Sequence, residues 1–180
     1  MTATGSGRDT PLRLFYALWP DEGVREALQA LQARVHGRHI QPGSLHATLA
    51  FLGNQPARHL PLLENLLAEL PRNAFALQID RLGYFRKNRI AWAGSHMAPA
   101  ALTVLQASLS EALGRHHINF DNKKDFKAHI TLARDADAPP DLPFEPFTWQ
   151  VNQVALVQSL QEGSRLAYRV LSSRRLDAAT

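Results

Sequence analysis

Apolar positions along this chain recur in two rhythms, every second residue in some stretches and every third or fourth in others. Leu12 to Trp19 reads as a strand ended by Pro20, and Asp21 is placed to cap a following helix. Val24, Leu28, Leu31 and Val35 then repeat at helical spacing, with Gly37 as the close. A loop from Arg38 to Leu45 carries Pro42, Gly43 and Ser44 and delivers a strand over His46 to Leu52, after which Gly53-Asn54 predicts a turn. A second helix starts near His59, with Pro61 in its first turn and Leu60, Leu63, Leu66, Leu67 and Leu70 on one stripe. Phe75, Leu77 and Ile79 alternate as a strand. Ile90 and Trp92 form another after the basic turn Arg86-Lys87-Asn88-Arg89, and the two together predict a hairpin. A third helix runs from Pro99 to Leu113, with Gly114 as its stop.

The polar segment His116 to Lys127 reads as a loop before a strand over His129 to Arg134. Pro139, Pro140, Pro143 and Pro146 stiffen the next connection. Trp149 to Leu160 and Arg165 to Leu171 are the last strands, joined by a turn at Gln161-Glu162-Gly163-Ser164. The order β-α-β-α-β-β-α-β-β-β predicts an α+β fold with largely antiparallel sheets flanked by helices. No linker or low-complexity segment divides it. Residues 12–176 are therefore expected to form one domain of two lobes, preceded by a disordered tail over 1–11.

One stretch occurs twice. His46-Ala47-Thr48-Leu49-Ala50-Phe51 returns as His129-Ile130-Thr131-Leu132-Ala133-Arg134, with His, Thr, Leu and Ala in matching places. Alternate side chains of a strand share a face. Each copy thus offers an imidazole and a hydroxyl on one face and apolar groups to a core on the other. The repeat suggests two halves related by a pseudo-twofold.

Composition narrows the chemistry. The 180 residues include no cysteine, so neither a disulfide framework nor a thiolate metal site is available. Hydrophobic content of 45% and charged content of 20% are ordinary for a globular chain. The N-terminus lacks the apolar core of a secretory signal, and no apolar run approaches the ~20 residues that span a bilayer. A cytoplasmic protein without membrane contact is the expectation. The formal charge of +4 suits an anionic ligand such as a phosphate or nucleic acid.

Histidine, with an ordinary pKa of about 6.5, serves as acid or base near neutrality. Two imidazoles facing one another can take a proton from a nucleophile while giving one to a leaving group. Thr48 and Thr131 would then donate hydrogen bonds to charge on a phosphoryl oxygen between them. Arg134, five residues after His129, would face the other way on a regular strand and needs a bulge or a strand end to reach the same place. Neither motif carries a further ligand at metal-binding spacing, and no nucleophile elbow or nucleotide-triphosphate loop is present. No metal and no cofactor is expected.

The paired motifs His46-Ala47-Thr48-Leu49 and His129-Ile130-Thr131-Leu132 resemble those of the two-histidine phosphoesterase superfamily. Within it, Arg13-Leu14-Phe15-Tyr16-Ala17-Leu18, Leu45 to Gly53 and His129 to Arg134 are similar to the bacterial and archaeal RNA 2′,3′-cyclic phosphodiesterases, also called 2′-5′ RNA ligases. The resemblance runs from about Leu12 to Leu171. It implies a bilobal fold with the motifs facing across a central cleft, and metal-free hydrolysis of an RNA 2′,3′-cyclic phosphate to a 2′-phosphate. His46 would protonate the departing 3′ oxygen, His129 would activate water, Thr48 and Thr131 would hold non-bridging oxygens, and Arg134 matches the family's arginine. Ala47 stands where many relatives carry a larger apolar residue, a difference that concerns packing.

Further substrate contacts are expected from Phe15, Phe51 and Lys127, with Tyr16 as another candidate to stack on a base. Arg86, Lys87, Arg89, Lys123 and Lys124 are candidates for guiding an RNA backbone. The remaining histidines read as surface or loop residues. The expected partner is RNA or an oligonucleotide ending in a cyclic phosphate, bound by a monomer. The alternatives are reversible 2′-5′ ligation, hydrolysis of a small cyclic nucleotide, and non-catalytic binding of RNA ends. The last fits poorly, since a pure phosphate binder is better served by Arg or Lys.

Overall fold

The computed structural model describes residues 10–122, 125–141 and 143–178. Ten strands and three α-helices follow one another along them. They are β1 (Pro11–Leu18), α1 (Glu22–Gln32), β2 (Arg38–His39), β3 (Ala47–Pro56), α2 (Leu60–Glu69), β4 (Phe75–Ile79), β5 (Arg81–Phe85), β6 (Ile90–Gly94), α3 (Ala100–Arg115), β7 (His129–Arg134), β8 (Phe147–Val151), β9 (Gln153–Glu162) and β10 (Arg165–Arg175). The fold is α+β, and every pairing between named strands is antiparallel. β1 begins at Pro11, inside the span expected as a tail; residues 1–9 lie outside the described residues.

The main sheet has the order β10-β9-β1-β3-β7-β6-β5. Leu14, Tyr16 and Leu18 of β1, Ala47 and Leu49 of β3, and Ile130 and Leu132 of β7 all point into one core. The helices close over that core, α1 against β7, α2 against β9 and β10, and α3 against β3. Asp21 caps α1 as the sequence predicts, its Oδ1 accepting from the Val24 N–H at 3.0 Å. Phe15 and Ala17 turn to the other face and join Ala155 and Val157 in a smaller cluster. β1 is therefore buried on both sides, as a central strand should be.

The seam between β3 and β7 is narrow. They share one register pair, Ala47 with Ile130, and beyond it the same edge of β7 is taken by β2, Arg38 opposite Arg134 and His39 opposite Ala133. The two motif strands thus touch near their histidines and then diverge. Gly37 brings β2 this close: a Cβ there would lie 2.7 Å from the Ala136 Cα and 2.9 Å from the Arg134 carbonyl oxygen.

Several local expectations need correction. Gly53-Asn54 is not the end of a strand: β3 continues to Pro56, and Gly53, at φ +64°, forms a bulge opposite β1. The hairpin partner of β6 is β5, not the strand at Phe75–Ile79; that strand, β4, pairs with β8 in a separate two-stranded sheet. Trp149 to Leu160 is not one strand, because the chain changes sheets at Asn152 between β8 and β9. Gly114 lies inside the last turn of α3. The helix is closed instead by His117 at φ 54°, with the Ile118 N–H reaching the Leu113 carbonyl at 3.0 Å and the His117 N–H reaching that of Gly114 at 3.1 Å.

Candidate functional site

Each copy of the six-residue repeat slips by one residue at the same place. In β3 the register against β1 jumps from Thr48–Ala17 to Ala50–Tyr16, and in β7 the register against β6 jumps from Thr131–Trp92 to Ala133–Ala91. Leu49-Ala50 and Leu132-Ala133 are accordingly consecutive buried pairs. A bulge of this kind returns the sixth residue to the face of the first and third. Phe51 and Arg134 therefore join His46, Thr48, His129 and Thr131 around one cavity of about 250 Å³. This is the bulge that Arg134 needs.

The two histidines are held by one device. His46 Nδ1 lies 2.6 Å from the Ser44 carbonyl oxygen and His129 Nδ1 lies 2.8 Å from that of Lys127, in each case two residues back. A carbonyl only accepts, so Nδ1 carries the hydrogen and Nε2 of the neutral ring keeps a lone pair. The Thr48 hydroxyl sits 3.1 Å from His46 Nε2.

Their surroundings differ. His46 lies among Phe15 (centroids 4.8 Å), Trp19 (5.7 Å, planes 16° apart) and Tyr168 (5.2 Å, edge-on). Burial in this aromatic setting pushes its pKa down to about 4, against the Ser44 carbonyl, which favours the protonated ring; the positive charges of His129, Arg134 and Arg25 push it further down. His129 packs edge-to-face with Phe85 (centroids 5.1 Å) and Trp92 (6.1 Å). Burial lowers its pKa too, opposed by the Lys127 carbonyl.

Phe15 lines the cavity, whereas Tyr16 is fully buried in the core with its hydroxyl donating to the Leu63 carbonyl at 2.7 Å. Tyr16 is not available to stack on a base. Lys127 lines a second, neighbouring cavity. Arg89 pairs with Asp137 at 3.4 Å, Arg86 and Lys87 sit on an exposed turn away from both cavities, and Lys123 and Lys124 lie outside the described residues. The histidines read as surface or loop residues stay away from the first cavity. His39 is bonded to the Val35 carbonyl, His59 faces Gln55, and His96 pairs with Asp80.

Arg13, Trp19, Arg25 and Tyr168 are functional candidates that the sequence reasoning missed. The Arg13 guanidinium lies over Phe51 at 4.9 Å. Tyr168 arrives because β9 pairs with β1 and β10 with β9, so its only sequence signal is the alternation of the last strand. Among the described residues no group of three or more His, Cys, Asp or Glu is placed to hold a metal ion, and no helix is long and apolar enough to cross a membrane.

The arrangement can flank one phosphoryl group with two imidazoles, two hydroxyls and a guanidinium. The family model described as the 2′-5′ RNA ligase superfamily matches residues 19–163. The chain is 30% identical over 167 residues to the RNA 2′,3′-cyclic phosphodiesterase of Escherichia coli strain K12, covering 89% of this chain and 94% of that protein. It is 34% identical over 175 residues to the RNA 2′,3′-cyclic phosphodiesterase of Thermus thermophilus, covering 89% and 88%. Its fold is similar to a crystal structure of E. coli LigT complexed with NADP+, with a TM-score of 0.80 at 28% identity, over 93% of this chain and 99% of that one. This chain belongs to the 2′-5′ RNA ligase superfamily.

Proposed function

We infer that this protein is an RNA 2′,3′-cyclic phosphodiesterase, a hydrolase that opens a terminal cyclic phosphate by two-histidine acid–base catalysis. The observation that carries the reading is the duplicated motif: both Nδ1 atoms are committed to backbone carbonyls, and both rings line one cavity. In this reading His129 takes the proton of the attacking water. The new P–O bond forms in line with the P–O3′ bond that breaks, and His46 protonates the departing 3′ oxygen, leaving a 2′-phosphate. Thr48, Thr131 and Arg134 hold the non-bridging oxygens, where charge accumulates in the transition state. A phosphodiester anion beside His46 counters the burial that keeps its ring neutral, so the substrate loads its own acid.

Phe15 and Phe51 supply the apolar wall for the terminal base. The reading also takes residues 12–176 as one catalytic domain of two lobes, working as a cytoplasmic monomer on RNA ends. The decisive assay follows conversion of an oligonucleotide 2′,3′-cyclic phosphate to its 2′-phosphate with EDTA present throughout. His46→Ala and His129→Ala should each lose at least about 10²-fold in turnover. Undiminished turnover in either variant overturns the assignment.

A further inference from the structure

Two guanidiniums line the first cavity, and the reading above uses only that of Arg134. The other belongs to Arg13 on β1, two strands away from β7 in the sheet. Arg13 does not stand alone. β1 pairs with β9 through Arg13 and Ser159, and β9 pairs with β10 through Ser159 and Tyr168, so the three residues form one row across three strands. Residues directly opposed in a ladder share a face, and all three line the cavity. The row borders the acid. Tyr168 lies edge-on to the His46 ring at 5.2 Å and to Phe15 at 5.3 Å, while the Phe51 ring carries the Arg13 guanidinium at 4.9 Å. Among the described residues neither the guanidinium nor the two hydroxyls have a hydrogen-bond or ion-pair partner, and the cavity lining contains no carboxylate.

We propose that the row Arg13, Ser159 and Tyr168 is a second phosphate site, which holds the phosphodiester on the 5′ side of the terminal nucleotide. The proposal rests on the acid–base reading above, because that reading fixes where the sugar lies. The oxygen that His46 protonates stays on the ribose of the cyclic phosphate. That ribose is therefore on the His46 side of phosphorus, and its 5′ carbon and the preceding nucleotide lie beyond it, away from His129. This is the side built by β1, β9 and β10. Arg13 follows Phe15 on the same face of β1 at about 7 Å along the strand, the order of one sugar–phosphate step. A phosphodiester there would accept from one guanidinium and two hydroxyls, and a charge-assisted bond from arginine is the strongest of the three. The row thereby separates the end of a strand from a cyclic mononucleoside, which carries a hydroxyl where the strand has its phosphate.

The test compares two product-like probes by calorimetry on the full chain, adenosine 2′-monophosphate and adenosine 2′,5′-bisphosphate. The wild-type protein should bind the bisphosphate at least about ten-fold more tightly, the scale of one hydrogen bond to a charged group. Arg13→Gln should lower that ratio at least about five-fold. Tyr168→Phe, which keeps the ring and removes only the hydroxyl, should lower it about three-fold. Arg115→Gln removes the same charge from the end of α3, away from both cavities, and should keep the ratio. A wild-type protein that does not prefer the bisphosphate overturns the proposal. So does a ratio that survives Arg13→Gln, since the guanidinium would then serve the phosphate between the histidines, or one that falls equally in Arg115→Gln. Turnover of an oligonucleotide 2′,3′-cyclic phosphate is followed in parallel. Turnover without the binding preference leaves the acid–base reading and removes the second phosphate site; the preference without turnover does the reverse.

Discussion

Arg25, on the first turn of α1, donates through Nη1 to the Pro42 carbonyl at 2.6 Å and to that of Leu45 at 3.3 Å. Those carbonyls flank Ser44, the residue whose own carbonyl fixes His46. The same guanidinium lies over Trp19 at 5.3 Å, and Trp19 in turn stacks on His46. Arg25 is buried, with 7% of its surface exposed, so these contacts rather than solvent hold its side chain. In the acid–base reading it is a positioning residue, acting on His46 through the loop that carries the Ser44 carbonyl and through the Trp19 plane.

Arg25→Met should therefore lower kcat by about ten- to a hundred-fold, with KM much less affected, because misorientation of the acid is felt mainly in the transition state. Thermal unfolding of the same variant should register a loss of about 2–4 kcal/mol from two orphaned carbonyls and a disturbed loop. A variant that loses stability but keeps kcat would make Arg25 structural only.

Stability should fall on the acid side. The folded protein resists protonating His46 until about pH 4, whereas the unfolded chain takes up that proton near its ordinary value of 6.5. Between those limits the unfolded state binds more protons, so unfolding becomes easier as pH drops; the depressed pKa of His129 acts in the same direction. The cost at the acid end is up to about 3 kcal/mol for His46. Melting curves from pH 7 to pH 4.5 should shift down by about 5 °C or more. In His46→Gln the shift should be visibly smaller.

An anion in the cavity should reverse that depression. With inorganic phosphate at millimolar concentration, the His46 ring resonances should titrate well above pH 4, since a negative charge at contact distance favours the imidazolium. The measurement is an NMR titration with and without phosphate. A midpoint that stays near 4 with phosphate present would place the anion elsewhere.

Gly83→Ala tests the seat of Trp92. A methyl group 2.0–2.5 Å from three indole atoms forces the ring to move. Overpacking of this kind costs about 1–3 kcal/mol, readable in denaturant unfolding. Because the indole packs against the His129 ring, hydrolysis should slow as well. An unchanged melting curve would mean the hairpin yields instead.

The two motif strands and all three helices were legible because each keeps one period over several residues: His46-x-Thr48 and His129-x-Thr131 alternate cleanly up to the slip that follows, and Leu60 to Leu70 keeps a single stripe. β5 was not, since Arg81-Leu82-Gly83-Tyr84-Phe85 puts polar, apolar and glycine positions in no strict alternation, and its register is set by Trp92 across the hairpin. The bulges at Leu49 and Leu132 escaped for a related reason. A one-residue slip leaves no mark in composition, and only a partner strand reveals it. Tyr168 reaches the cavity through strand order, and Arg25 reaches the loop before His46 through a contact across 17 residues; a local pattern encodes neither.

Twin slips in β3 and β7 also make positions 51 and 134 equivalent sockets, one on each wall, whose contents are independent of the ladder that carries them. One is filled by an aromatic ring and the other by a cation, so the cleft is sided: one bank suits a base and the other an anion. Exchange of either occupant, as in Phe51→Arg or Arg134→Phe, would re-dress the mouth symmetrically while leaving both hydrogen-bonded frameworks as they are, which makes these two places the natural handles for retuning what the cleft accepts.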